Sequence, residues 1–163
     1  MRECRLDQQQ LKTIERFLPG DKQEAMTIFK NAGAYISKRN HAPAFERELL
    51  KTIDLLFPEG IERVLSFEHH GSYTVHRNQQ AHVDHDDAMI DGKEYWTVVW
   101  YLTDSTTVLK VIDTNSEFIV MPRRGQVVAF PSILMHEVIF VEPYTWRSSI
   151  VSIVQVKNQT AVH

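Results

Sequence analysis

Tyr95-Trp96-Thr97-Val98-Val99-Trp100-Tyr101-Leu102 is a run of aromatic, β-branched and leucine residues bounded on both sides by polar, turn-forming sequence. Such a run reads as a strand, and it is far short of the roughly 18 apolar residues that a membrane span requires. Working outward, the same signal recurs at Thr107–Ile112, Glu117–Met121, Gln126–Phe130, His136–Val141 and Trp146–Val156 on one side, and at Ile61–Glu68, Ser72–Arg77 and Gln80–Asp84 on the other. Many short strands with turn residues between them, and no helices, argue for a sandwich, jelly roll or barrel over a parallel βαβ sheet.

The first 60 residues follow a helical period instead. Asp7 with Gln10 forms a capping-box pattern ahead of Leu11, Ile14 and Leu18, and Pro19-Gly20 ends that element. A second cap at Asp21 and Glu24 precedes Ala25, Ile28, Phe29, Ala32 and Ile36 on one face. A third helix starts near Pro43, carries Phe45, Leu49, Ile53 and Leu56, and stops at Pro58-Glu59-Gly60. The expectation is one domain: a helical segment over 1–60 packed on a β core over 61–156, with a tail at 157–163.

At 163 residues, with 43% hydrophobic and 24% charged residues, the composition is that of an ordinary folded protein. The net charge is −3, from ten basic and nine acidic residues up to position 60 and eight against twelve beyond it. Neither half has the basic footprint of a nucleic-acid binder. The polar start Met1-Arg2-Glu3-Cys4-Arg5 lacks the apolar core of a signal peptide, so a cytoplasmic protein without membrane contact is expected. The single cysteine, Cys4, forms no internal disulfide.

Five of the eight histidines, His69, His70, His76, His82 and His85, fall close together, with Asp84, Asp86 and Asp87 interleaved at the end of the run. In His82-Val83-Asp84, strand geometry puts the imidazole and the carboxylate on one face, as two cis ligands of one metal require. A third ligand has to come from another strand, and His136 is the histidine available there. Two histidines and one carboxylate make the facial triad of non-haem Fe(II) oxygenases; on ligand chemistry alone zinc stays open. Farther on, Arg147 and Ser149 share a face of an apolar strand. A guanidinium with a hydroxyl beside it receives a small carboxylate, and a cation in such a strand needs an anionic partner.

In the order His82-x-Asp84, His136, Arg147-x-Ser149, with Tyr101-Leu102 and the approach Gly125-Gln126-Val127-Val128-Ala129-Phe130-Pro131-Ser132, the chain resembles the Fe(II)- and 2-oxoglutarate-dependent dioxygenases, especially their prolyl-hydroxylase-like branch. The resemblance covers roughly residues 61–156. It implies a double-stranded β-helix of the jelly-roll, cupin-like type, with iron held by His82, Asp84 and His136. It further implies that 2-oxoglutarate chelates the metal and sets its distal carboxylate on Arg147 and Ser149, with Tyr101 and Tyr73 beside it. The implied reaction consumes dioxygen, releases succinate and carbon dioxide, and hydroxylates an unactivated C–H bond. Relatives that halogenate lack the carboxylate of the triad, so Asp84 argues against that outcome. One departure is Ser105-Thr106-Thr107-Val108, where the family often has a Gly-Gly pair.

His69 and His70, next to Gly71, are expected exposed at a turn. His76, His85 and Asp87 are candidates for the substrate mouth, with the polar loop through Asp91-Gly92-Lys93 as a lid. The substrate class is an amino acid, a peptidyl residue or a small metabolite, and exposed strand edges leave room for a homodimer. The competing readings are a cupin-like metal or small-ligand binding protein without activity, for which Arg147-x-Ser149 has no use, and a zinc hydrolase, for which no general base stands out.

Overall fold

The computed structural model describes residues 1–18, 34–37, 43–72, 79–82, 92–104, 107–140 and 147–157. Among these the elements run β1 (Arg2–Arg5), α1 (Gln8–Glu15), β2 (Ala34–Ser37), α2 (Pro43–Leu56), β3 (Ile61–Ser72), β4 (Gln79–His82), β5 (Tyr95–Tyr101), β6 (Thr107–Asp113), β7 (Ser116–Val120), β8 (Gln126–Pro131), β9 (Met135–Phe140) and β10 (Arg147–Val156). They form two antiparallel sheets. Sheet 1 has the order β1-β8-β5-β10-β3-β2 and sheet 2 the order β4-β9-β6-β7. Among the described residues no helix is long and apolar enough to cross a membrane.

The decisive run becomes β5, the third strand of sheet 1, and it is buried along its whole length. Its alternation serves two cores. Trp96, Val98 and Trp100 join Leu11, Ile14, Phe45, Leu49 and Ile53 of the helices. Val99 and Tyr101 join Leu109, Val111, Val120, Phe130 and Val138, which brings the inner faces of the two sheets together. A strand covered on both faces has little need of polar positions, which accounts for an interior that is apolar but for Thr97, whose hydroxyl shares a 2.9 Å hydrogen bond with Ser132 Oγ.

Both helices that fall within the described residues form where their periodicity places them. In α1, Gln10 N donates to Asp7 Oδ1 at 2.7 Å and Asp7 N to Gln10 Oε1 at 3.0 Å, which is the capping box. The buried stripe of α2 is Phe45, Leu49, Thr52, Ile53 and Leu56, and Thr52 Oγ1 accepts the Trp100 indole N–H at 2.7 Å. Ile53 is fully buried whereas Leu55 is 69% exposed. Ile53→Ala is therefore expected to lower stability by about 2–5 kcal/mol and Leu55→Ala by no more than about 0.5 kcal/mol, read from denaturant midpoints at constant slope.

Three expectations need correction. The polar start forms β1, pairing Arg2–Arg5 with Ala129–Gln126, and so covers β8, which would otherwise be a bare edge. Arg2 anchors it: the guanidinium lies 4.9 Å from the Phe57 ring and 4.7 Å from the Trp96 ring and donates to Leu56 O at 2.8 Å. Ile36, read as the end of a helical stripe, lies instead in β2, which pairs with Ser72–His69 of β3. The remainder of that second helix lies outside the described residues, as do 73–77 of the strand expected at Ser72–Arg77. Finally, His69, His70 and Gly71 form no turn; β3 runs through them to Ser72, paired on both edges.

Candidate active site

β10 enters sheet 1 at Arg147, between β3 and β5. Ser149 is directly opposite His70 on β3 and Tyr101 on β5, so these three side chains form one row facing sheet 2. Arg147, two residues before Ser149, shares that face by strand parity. Ser149 is 1% exposed, and its Oγ is enclosed with no hydrogen-bond partner among the described residues. A buried hydroxyl left without a partner carries a desolvation penalty of about 1–3 kcal/mol, which a ligand acceptor or donor removes.

Charge points to which ligand. Burial lowers the pKa of Arg147, opposed by its interaction with Tyr101, yet an arginine stays charged. Burial pushes the Tyr101 phenol above its ordinary range, opposed by the Arg147 charge. Tyr101 is therefore a neutral donor that leaves the guanidinium charge in place. A cation, a hydroxyl and a phenol O–H converging at a buried end suit a carboxylate.

The facing wall comes from sheet 2. His136 on β9 is 5% exposed, its ring centroid 5.0 Å from that of Phe130. The backbone of β4 places His82 directly opposite His136. Between the pairs Gln79–Val138 and His82–His136, β4 advances three residues while β9 advances two, a bulge of the kind that re-aims a side chain at a site. Asp84, Tyr73, His76, His85 and Asp87 lie outside the described residues, and His82 is described by its backbone alone. Among the described residues no three His, Cys, Asp or Glu side chains group as a metal site.

A cavity of about 90 Å³ joins the two walls, lined by His70, Thr97, Val99, Tyr101, Leu109, Phe130, His136, Val138, Arg147 and Val151. Phe130, beside His136, pairs with Thr97 on β5, and Tyr101 lies four residues farther along the same strand, roughly 13 Å at strand rise. The imidazole of His136 therefore marks one end of the cavity and Arg147 and Tyr101 the other, with valine and leucine side chains between and Ser149 enclosed in the same row as Tyr101. That is the shape of a site for a small, elongated ligand with a carboxylate at one end.

Sequence reasoning missed His70, which lines this cavity while its Nε2 donates to Glu68 Oε2 at 3.0 Å. The available signal was parity: once β3 is extended, Glu68 and His70 share a face. It also missed His69, 1% exposed on the opposite face, which shares a 2.6 Å hydrogen bond with Ser148 Oγ. Ser148 N also donates to Thr103 Oγ1 at 3.0 Å, and Ser148 O accepts from Leu102 N at 3.0 Å. The residue between Arg147 and Ser149 is thus held from behind by three polar contacts, which fixes how its neighbours present themselves.

No protein-family model and no curated protein matches the chain. Solved structures do. A 2OG-Fe(II) oxygenase family oxidoreductase from Burkholderia pseudomallei is 17% identical with a TM-score of 0.58, over 77% of this chain and 69% of that one. A prolyl-4-hydroxylase from Pseudomonas putida is 16% identical with a TM-score of 0.60, over 96% and 92%. A non-haem α-ketoglutarate-dependent epimerase from nogalamycin biosynthesis is 11% identical with a TM-score of 0.62, over 93% and 74%. At these identities the likeness is one of fold. The chain folds as the 2OG-Fe(II) oxygenases do, the same proteins that its sequence resembles.

Proposed function

We propose that this protein is an Fe(II)- and 2-oxoglutarate-dependent dioxygenase that hydroxylates an unactivated C–H bond of an amino-acid, peptidyl or small-metabolite substrate. In this reading the two sheets are the double-stranded β-helix of that family, 61–156 is the catalytic core, 1–60 packs on it and 157–163 is a tail. The observation that carries the proposal is the buried Ser149 hydroxyl, without a hydrogen-bond partner among the described residues, on one strand with Arg147 and in one row with Tyr101, the last two lining a cavity that His136 also lines.

His82, Asp84 and His136 would hold the iron, a donor set that suits it and leaves coordination positions open. When bound, the metal with 2-oxoglutarate and dioxygen supplies the oxidation, with succinate and carbon dioxide as coproducts. The chain's own contribution is to bind and to exclude water. Arg147 clamps the distal carboxylate, Ser149 hydrogen-bonds it, and Tyr101 donates from β5 while staying neutral. Val99, Leu109, Val138 and Val151 form the apolar walls that keep water out. Tyr73 would flank the same ligand, and His76, His85 and Asp87 the substrate mouth. The neighbours bear names as different as hydroxylase and epimerase, so hydroxylation rests on the resemblance to the prolyl-hydroxylase branch and on Asp84 completing the triad.

The test is an anaerobic titration of the Fe(II)-loaded protein with 2-oxoglutarate. A weak visible charge-transfer band is expected as the keto acid chelates the metal. Iron that binds without producing the band overturns the cosubstrate assignment, and protein that takes up no iron overturns the metal assignment.

A further inference from the structure

The row through Ser149 has two ends, and Tyr101 stands at one of them. On the other side stands His70, also directly opposite Ser149. Directly opposed residues of an antiparallel pair project from the same face, their β-carbons about 4.5–5.5 Å apart. Ser149 is therefore the floor of a slot whose two walls are rings, an imidazole on β3 and a phenol on β5, with wall backbones roughly 10 Å apart across two strand spacings. Arg147 lies on the same strand as the floor. A flat carboxylate, which takes its hydrogen bonds close to its own plane, fits such a slot edge-on.

The His70 wall is held in place. Its Nε2 donates to Glu68 Oε2 at 3.0 Å, an anchor on the same strand and the same face, and its side chain keeps only 33% exposure. A ring tied to a carboxylate two residues away holds one orientation, and a rigid wall discriminates between ligands where a mobile one gives way.

We infer that His70 is a specificity-determining residue for the keto acid: with Tyr101 it forms the slot that seats the distal carboxylate, and it sets the length of dicarboxylate that fits. This rests on the 2-oxoglutarate reading. A homologue with one more methylene, held at the metal by its keto end and at Arg147 by its carboxylate, would have to bow sideways within a cavity whose β3 wall is His70. The ligand class is a five-carbon 2-keto dicarboxylate, with the six-carbon homologue rejected.

The experiment measures binding, without turnover: anaerobic Fe(II)-loaded protein is titrated calorimetrically with 2-oxoglutarate and with 2-oxoadipate. Wild type is expected to prefer the shorter acid by at least about tenfold, within the roughly 10- to 200-fold that one methylene is worth in a fitted pocket. His70→Ala should bring the ratio below about threefold, chiefly by tightening 2-oxoadipate, with iron affinity and melting temperature kept. His70→Phe, which restores a ring wall, should restore most of the preference, and Glu68→Gln, which loosens the anchor at constant volume, should give an intermediate ratio. A wild-type ratio in His70→Ala, or equal weakening of both acids, overturns the inference. If His70→Ala does not fold, Glu68→Gln decides, and an unchanged ratio there overturns it. Wild-type protein that binds iron and neither acid overturns the 2-oxoglutarate reading itself, a result distinct from a lost preference.

Discussion

Arg147→Ala is expected to weaken 2-oxoglutarate binding by about 2–5 kcal/mol, roughly 30- to 4,000-fold, while Fe(II) affinity stays within about twofold of wild type. The size follows from the surroundings. The guanidinium shares its cavity with the buried Tyr101 phenol, and the buried Ser149 lies two residues along the same strand, so its removal strands a carboxylate among groups that cannot supply its charge. The separation of the two affinities follows from the topology: Arg147 begins β10 of sheet 1, whereas His136 and His82 are paired on β9 and β4 of sheet 2. Arg147→Lys should recover part of the loss, because an ammonium keeps the charge and lacks the two-pronged geometry. Calorimetric titration of iron and of the keto acid separately checks both halves. Equal loss of the two affinities would mean a collapsed site, and unchanged affinity for the acid would remove Arg147 from the ligand contacts.

His136→Gln is expected to abolish iron-dependent turnover, measured as succinate released, and to leave the melting temperature within a few degrees of wild type. Glutamine roughly preserves the volume packed against Phe130, so the loss of an imidazole ligand is not confused with a cavity. His82→Gln and Asp84→Asn should behave alike, with iron content by metal analysis falling in step with activity. A variant that keeps full activity leaves the ligand set. Neither expectation depends on the identity of the oxidised substrate, because uncoupled decarboxylation of the keto acid also reports succinate.

Strands β3 to β10 and helices α1 and α2 were readable from local signals. Between its terminal tyrosines β5 is apolar but for Thr97 because both of its faces are covered, α1 begins at the Asp7 cap, and α2 begins at Pro43. That Arg147 and Ser149 share a face was readable by the same means, since a period of two places them together whatever the rest of the chain does. Their shared row with Tyr101, and the direct pairing of His82 with His136, are facts of register, which residues distant in sequence settle together.

β1 and β2 were not readable, and their failure has one cause. Arg2-Glu3-Cys4-Arg5 has no apolar period, and becomes a strand because β8 presents an open edge and Arg2 finds two rings and a carbonyl to hold. Ile36 fits a helical stripe on spacing alone, and the edge of β3 draws it into a sheet. The two adjacent histidines show the same limit at the site. In the sequence, His69 and His70 are a polar pair before a glycine; in the fold, one is buried against Ser148 behind the site and the other lines the cavity. By itself the sequence determined the periodicities, the caps and the residue types able to hold a metal and a carboxylate, because these act over a few residues. The tertiary structure decided which polar residues face inward, because that depends on strand edges, register and burial contributed by segments far apart in the chain.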